Sequence, residues 1–504
     1  MALFLPILLA IFLSFIATYW KKFRLIYKFS SYDNKIPGPP TLPVLGNALM
    51  FNNKNTEEIS RVFRDAANEA QKRGDNVLRF RLIDKMYVFP LNGKTLTKIV
   101  ESTTELNKGD DYEFLMPWLG GGVLFEGYGE RWRSHRKMLT PTFHFAKLEG
   151  YLEVFNAESK ILIECLEKFA DSGEKIDIHP YIKRCTLDII CGAAMGIKVD
   201  AQLHHDHPYV KAVEGFNKMA SLYSTNPHLQ FEPLFWALGY KKRKEDYLHT
   251  LKKFTNDVIA ERRAALESGD VETETSRRRM NFLDILLSSE SSHELTPEDI
   301  RQEVDTFMFA GHDTTTTSLS WACWNLAHHA DVQERVYREL VTVFGERPDD
   351  DVTSDGIARL DYTERVLRES KRIVAPVPIL QRKLREPMVL DGYTVPTEVN
   401  VAIAPLVLHS NPLVFPEPDV FDPDRFLPEA IARRHPYDYI PFSAGLRNCI
   451  GQKFSQLNEK VMLVHLLKNF RIEPATGPDG TRPTFEVVAK PSNGIPVKLV
   501  RRHV

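Results

Sequence analysis

The longest unbroken pattern in the chain starts at Thr296-Pro297-Glu298-Asp299 and keeps apolar residues at three- and four-residue steps to about Ala330. Thr296 caps this predicted helix, Pro297 takes the first helical position and Asp299 completes a capping box. At helical rise it is ~50 Å long, enough to cross a whole globular body. Its interior, Ala310-Gly311-His312-Asp313-Thr314-Thr315, is a poor choice for a helix, because glycine loses backbone entropy and threonine loses rotamer freedom there. Something other than helical stability favours that run. Gly311 removes a side chain, and the Thr314 hydroxyl can bond back to the carbonyl four residues earlier, which predicts a notch in the helix. His312 falls on a different face, as a packed or solvated histidine.

Nearer the C-terminus, Pro441-Phe442-Ser443-Ala444-Gly445-Leu446-Arg447-Asn448-Cys449-Ile450-Gly451-Gln452 sets one cysteine in a frame of glycines, an arginine and a phenylalanine. A metal-binding thiolate needs its charge stabilised, and glycines let the backbone approach it closely. Gly445 and Gly451 supply that freedom, Arg447 a positive charge and Phe442 an aromatic wall. A buried structural cysteine is the alternative. The order Phe-x-x-Gly-x-Arg-x-Cys-x-Gly resembles the haem loop of the cytochromes P-450, with all five fixed positions matched. The resemblance implies that Cys449 is the thiolate ligand of a haem iron and that Arg447 meets a haem propionate. It also implies the fold: mainly α with a small β portion (α+β), a single large helical domain with an N-terminal transmembrane helix.

Ala2 to Trp20 are 19 residues without a charge, enough at helical rise to cross a bilayer core. A cleaved signal peptide is the alternative, but its positive charge normally precedes the apolar run, whereas Lys21, Lys22, Arg24 and Lys28 follow this one. Basic residues stay on the cytosolic side, which puts the remaining chain in the cytosol. The expected division is therefore an anchor over 1–20, a basic and proline-rich hinge over 21–46 and a haem-binding monooxygenase domain over 47–504. The run Ile36-Pro37-Gly38-Pro39-Pro40 cannot continue a helix and predicts a stiff extended strap. The resemblance implies the endoplasmic reticulum membrane, crossed once. Five cysteines without framework spacing argue against a disulfide scaffold, and a net charge of −2 gives no reason to expect nucleic acid.

Residues 77–100 alternate apolar and polar in short runs broken by Asp84-Lys85 and Asn92-Gly93, which predicts a strand-rich patch. The apolar, glycine-rich loop over 114–125 is expected over a substrate pocket or buried against the core. Trp132 and Arg136 lie one helical turn apart, matching the family's Trp-x-x-x-Arg, and the resemblance implies that both reach a haem propionate. Arg133 and Lys137 beside them would make a positive patch for an acidic electron donor, or a plain solvated face. Residues 150–265 read as successive amphipathic helices without a catalytic constellation, and 269–279 as a charged surface connection. Glu369 and Arg372 share a helix face, a spacing that recurs at Glu58, Glu130 and Glu298. Context favours the first pair, since Pro376-Val377-Pro378 and Arg382 follow as in the family. The resemblance then implies a buried network of Glu369, Arg372 and Arg425, with Arg382 on a propionate and the turn over 491–497 pointing into the pocket.

For function, the resemblance implies a haem-thiolate monooxygenase that inserts one oxygen atom from O2 into a C–H bond, with Asp313 and Thr314 delivering protons and Ala310 and Gly311 beside the haem. Nothing resembles a flavin or nicotinamide domain, so electrons are expected from NADPH through a separate cytochrome reductase, with cytochrome b5 as a second donor. Three stretches, 138–145, 305–309 and 449–454, resemble the family-four branch, known for oxidising terminal carbons of fatty acids. Many of that branch carry a glutamate esterified to the haem where this chain has Ala310, so a non-covalent haem b (iron protoporphyrin IX) is expected. Oxidation of a sterol or xenobiotic, a peroxide isomerase and a membrane haem sensor or electron carrier stand as alternatives.

Overall fold

The computed structural model describes residues 19–52, 54–127, 129–143, 145–204, 206–268, 281–291 and 294–502. Nearly all of the apolar leader and the whole connection at 269–279 lie outside them. No helix among the described residues is long and apolar enough to cross a membrane.

The body is mainly helical. The helices that place the site are α1 (Glu130–Leu139), α2 (Phe145–Glu167), α3 (His179–Ile190), α4 (Pro208–Thr225), α5 (Tyr240–Glu267), α6 (Pro297–His328), α7 (Asp361–Ile373) and α8 (Gln452–Asn469). The long helix begins as its sequence dictates: Thr296 Oγ1 accepts from the Asp299 amide at 3.2 Å, and Asp299 Oδ2 accepts from the Thr296 amide at 2.9 Å. It then runs through the centre, with α3, α5, α7 and α8 packed on its sides. A helix enclosed on every side buries polar residues too, and Thr316 and Thr317 satisfy their hydroxyls on the carbonyls four residues back, at 2.7 and 3.0 Å.

The β portion is small. A four-stranded sheet runs β1 (Val77–Leu82), β2 (Lys85–Pro90), β7 (Asn400–Ile403), β4 (Leu380–Lys383), with β2 and β7 parallel and the other pairs antiparallel. A second sheet orders β3 (Ile176–Asp177), β9 (Pro496–Arg501) and β8 (Phe470–Pro474), and β5 (Met388–Leu390) pairs with β6 (Tyr393–Val395). The strand-rich expectation holds for 77–90 and fails after it. Asn92-Gly93 opens a helix, Gly93–Val100, because the Asn92 side chain accepts from the Thr95 amide at 2.9 Å and caps it.

The proline-rich strap lies against β1, held by two buried arginines. Arg79 Nη1 sits 3.1 Å from Asp33 and its other nitrogens donate to the carbonyls of Ile36 and Pro39. Arg81 Nη2 sits 2.8 Å from Asp33, and the guanidinium also donates to the carbonyls of Leu42 and Val44. The strap has few backbone partners for its carbonyls, and these guanidiniums take four of them, those of Ile36, Pro39, Leu42 and Val44.

Candidate functional site

A cavity of about 330 Å³ opens where α4, α6, the cysteine loop and the segment 485–488 meet. Between residues 303 and 327 of α6, only Ala310, Gly311 and Thr314 are not buried, and all three line this cavity. Thr314 Oγ1 donates to the Ala310 carbonyl at 2.7 Å, as the sequence suggests, yet the helix stays α-helical through the run. A side chain at Gly311 would come within 2.7 Å of Ile190 on α3, so its absence admits a neighbouring helix as well as lining the cavity.

Cys449 turns its accessible surface into the same cavity. Its amide donates to the Phe442 carbonyl at 2.9 Å, which closes the loop and places Phe442 on the wall. Burial pushes the thiol up, opposed by the Gly451 amide and by Arg136. Gly445 is left-handed (φ +69°), and any Cβ there would strike the Val100 carbonyl at 1.7 Å, so this glycine packs the loop onto the end of the Gly93–Val100 helix. A Cβ at Gly451 would meet no protein atom.

Besides Lys371, four cations stand on the wall: Lys108, Arg136, Arg382 and Arg447. Lys108 went unnoticed in the sequence, where an isolated lysine carries no signal. Arg447 is buried, and burial followed by repulsion from Arg382 and Arg136 lowers it to about 9. Burial and the three arginines likewise push Lys108 well below the lysine range. None of the four makes an ion pair among the described residues. Arg447 donates to the carbonyls of Val123 (3.3 Å) and Glu126 (2.7 Å), Arg136 to the carbonyl and side chain of Asn448 (3.0 and 2.7 Å), and Arg382 to the Gln381 carbonyl (3.1 Å). Trp132 donates to the Val123 carbonyl at 3.2 Å and lies 4.0 Å beneath Arg447. A soft sulfur beside an uncompensated cation cluster, with Arg447 Nε buried and without a hydrogen bond, fits a planar iron cofactor that carries two carboxylates.

Behind Thr314, Asp313 is wholly buried rather than open to solvent. Burial pushes its carboxyl up, but Lys183 on α3, then Lys490, hold it well below the carboxylate range. Lys183 Nζ lies 3.3 Å from Asp313 and 2.8 Å from Glu214 on α4, whose side chain is 49% exposed, so the outside is reached through two further groups. Asn217 also donates to Asp313, at 3.0 Å. Lys183, Glu214 and Asn217 carry no motif in the sequence and come from helices distant in the chain from α6. His312 is packed, its Nδ1 on the Met308 carbonyl and its ring against Tyr209, and burial lowers it to about 4.

Glu369 and Arg372 meet on α7 in a two-pronged pair at 2.7 and 2.8 Å, with Arg425 Nε at 3.5 Å. Arg372 also donates to the carbonyls of His409 and Pro418, while the His409 ring accepts from the Ile440 amide at 2.9 Å just before the cysteine loop. The network is thereby tied to the loop it was expected to brace. A second buried pair, Lys371 with Glu459 on α8, lines the cavity itself. The turn over 491–497 does not. The segment 485–488 lines the cavity in its place, because Gly494 is packed on Asp177 at the other sheet.

The family model for "Cytochrome P450" matches residues 36–499. Among curated proteins, "Cytochrome P450 4c3" of Drosophila melanogaster is 37% identical over 509 residues, covering 98% of this chain and 94% of its own. "Cytochrome P450 4V2" of Mus musculus is 38% identical, covering 92% of this chain and 88% of its own, and "Cytochrome P450 4c21" of Blattella germanica is 35% identical, covering 92% and 93%. These are family-four names, in keeping with the resemblance of the three short stretches. With the match running from the strap to the last strand and the cavity built around Cys449, the chain belongs to the cytochrome P450 family of monooxygenases.

Proposed function

We propose that this monooxygenase inserts one oxygen atom from O2 into a C–H bond of a long-chain lipid, with fatty acids oxidised at or near the terminal carbon as the first substrates to test. The observation that carries the reading is the placement of Ala310, Gly311 and Thr314 as the open face of an otherwise buried helix, in the cavity that Cys449 enters. Cys449 would ligate the iron of a haem b, and Trp132, Arg136, Arg382, Arg447 and Lys108 would hold its propionates. Phe442, Gly445, Gly451, Ala310 and Gly311 would surround it. When bound, the group supplies electron-rich iron that favours O–O cleavage, as is general for haem with a thiolate ligand.

The chain's own residues manage the protons. Asp313 stays ionised in a dry setting, and Lys183 and Glu214 give a charged route from the outside to the carboxylate behind Thr314. Thr314 presents its hydroxyl on the cavity side while that oxygen is anchored to the Ala310 carbonyl. Ala310 offers no carboxylate for an ester, so the haem is held without a covalent bond, and acid-organic extraction should release it intact. Electrons come from NADPH through a separate reductase docked on the exposed Arg133 and Lys137 side of α1, with cytochrome b5 as a further donor. The apolar leader anchors the enzyme in the endoplasmic reticulum membrane, catalytic body in the cytosol.

The test is product analysis after incubating the membrane-bound protein with cytochrome reductase, NADPH, O2 and long-chain fatty acids, with Cys449→Ala alongside. A hydroxylated lipid that requires both NADPH and Cys449 is the expected outcome. No product from haem-loaded protein, with any lipid offered, would overturn the reading.

A further inference from the structure

Residues 485–488 form a bend along the cavity wall whose flanks are firmly tied. The Phe485 amide donates to the Thr56 carbonyl and Ser221 Oγ to the Phe485 carbonyl, each at 2.8 Å, and on the far side Trp321 Nε1 donates to the Ala489 carbonyl at 2.9 Å. Glu486, half-buried in this bend, lines the cavity between Phe485 and Val487. It therefore presents a carboxylate on a fixed backbone to whatever the cavity holds.

The other charges on the wall already have partners or a common task. Lys108, Arg136, Arg382 and Arg447 gather at the cysteine loop, Lys371 pairs with Glu459, and Asp111 accepts from Lys85, Tyr87 and Gln381. Glu486 makes no ion pair among the described residues. Burial pushes its carboxyl up and Asp313 adds to the rise, while Lys490 and Lys218 oppose it from beyond ion-pairing distance. Ile379, Ala220 and Val488 make the nearby wall apolar. A second carboxylate brought into such a low-dielectric space is repelled, whereas a hydroxyl can donate to the free oxygen.

We propose that Glu486 is a specificity-determining residue that accepts a hydrogen bond from an uncharged lipid carrying a hydroxyl and discriminates against a free carboxylate. The preferred substrates are then neutral long-chain lipids with a hydroxyl, of the fatty-alcohol type, in preference to the ionised fatty acid. This rests on the lipid-monooxygenase reading and narrows its substrate class. A pocket that places a hydrogen-bonding group for a hydroxyl rejects analogues without one, because the buried group is left unpaired.

The experiment is equilibrium dialysis of the haem-loaded protein at pH 8 with 1-dodecanol, dodecanoate and dodecyl methyl ether, for wild type, Glu486→Gln and Glu486→Leu. Wild type should bind dodecanol at least tenfold more tightly than either other ligand. Glu486→Gln keeps an acceptor without the charge and should tighten dodecanoate about tenfold while holding dodecanol, and Glu486→Leu should bring dodecanol down to the ether. Equal binding of dodecanol and dodecanoate by wild type, or an alcohol-to-ether ratio unmoved by Glu486→Leu, would overturn the proposal and leave the lipid reading standing. Binding of none of the three would overturn both.

Discussion

Arg79 and Arg81 under the strap and Arg382 and Arg447 on the cavity wall are all buried guanidiniums, yet their surroundings are opposite. The first two share Asp33 and divide the strap's carbonyls between them. The second two, with Arg136 and Lys108, face one another with carbonyls and an amide but no ion pair among the described residues. A structural cluster completes itself from its own chain, and a binding cluster leaves its charge to be met by something else. Burial near like charge is unfavourable unless compensated, so on the proposed reading the cavity cluster is where the haem propionates would sit.

The largest effect should come from breaking the completed cluster. Arg81→Met leaves Asp33 with one partner in a buried site and should lower stability by about 3–5 kcal/mol, with or without haem, read by denaturant unfolding. Asp313→Asn comes next. It removes the charge that Lys183 and Lys490 hold in place and should reduce turnover on the order of 10²-fold, with Lys183→Met lowering it less and haem content unchanged in both. Arg382→Met should do the reverse of Arg81→Met. The haem-free protein should be at least as stable, because repulsion is relieved, while haem affinity falls by about 1–3 kcal/mol, measured by transfer of haem to an acceptor protein. A haem-free Arg382→Met protein as damaged as Arg81→Met would erase the contrast.

The smallest effect is on pH. His409, beside Arg372, is lowered to about 3 by burial and then by that arginine, and His312 is lowered to about 4 chiefly by burial. The unfolded chain takes up a proton at each near pH 6.5 and the native chain does not until far lower. Stability is therefore full above about pH 7 and declines as pH falls, by roughly 1 to 1.5 kcal/mol for each at pH 5.5. Thermal unfolding of His409→Asn between pH 7.5 and 5.5 should show a correspondingly smaller decline.

Local signals were legible in the sequence, and pairings across the fold were not. The cap at Thr296, the loop around Cys449 and the pair Glu369–Arg372 are written within a few residues, and the structure forms the cap bonds, the Cys449–Phe442 loop bond and the ion pair. Lys183 and Asn217 meet Asp313, and Glu214 meets Lys183, only because α3 and α4 pack beside α6, and no periodicity in 150–265 distinguishes them from other polar residues. Asn92-Gly93 illustrates an ambiguity of residue type, since asparagine suits a turn and a helix cap equally and the structure uses it for the cap. Gly311 shows another: a missing side chain has two sides, and Ile190 occupies one of them.

The tie between Asp33 and the two arginines also sets a boundary for engineering the protein. The helix over 19–30 is seated on the body through Lys28, which donates to Thr397 and meets Glu398 at 3.2 Å, and through the buried Phe29. A shortened form for crystallisation can discard the apolar leader, but a cut beyond residue 32 would strip two interior cations of their shared counter-charge. Shortened forms that begin at Tyr19 should be purified folded, and those that begin at Asn34 should be lost to aggregation.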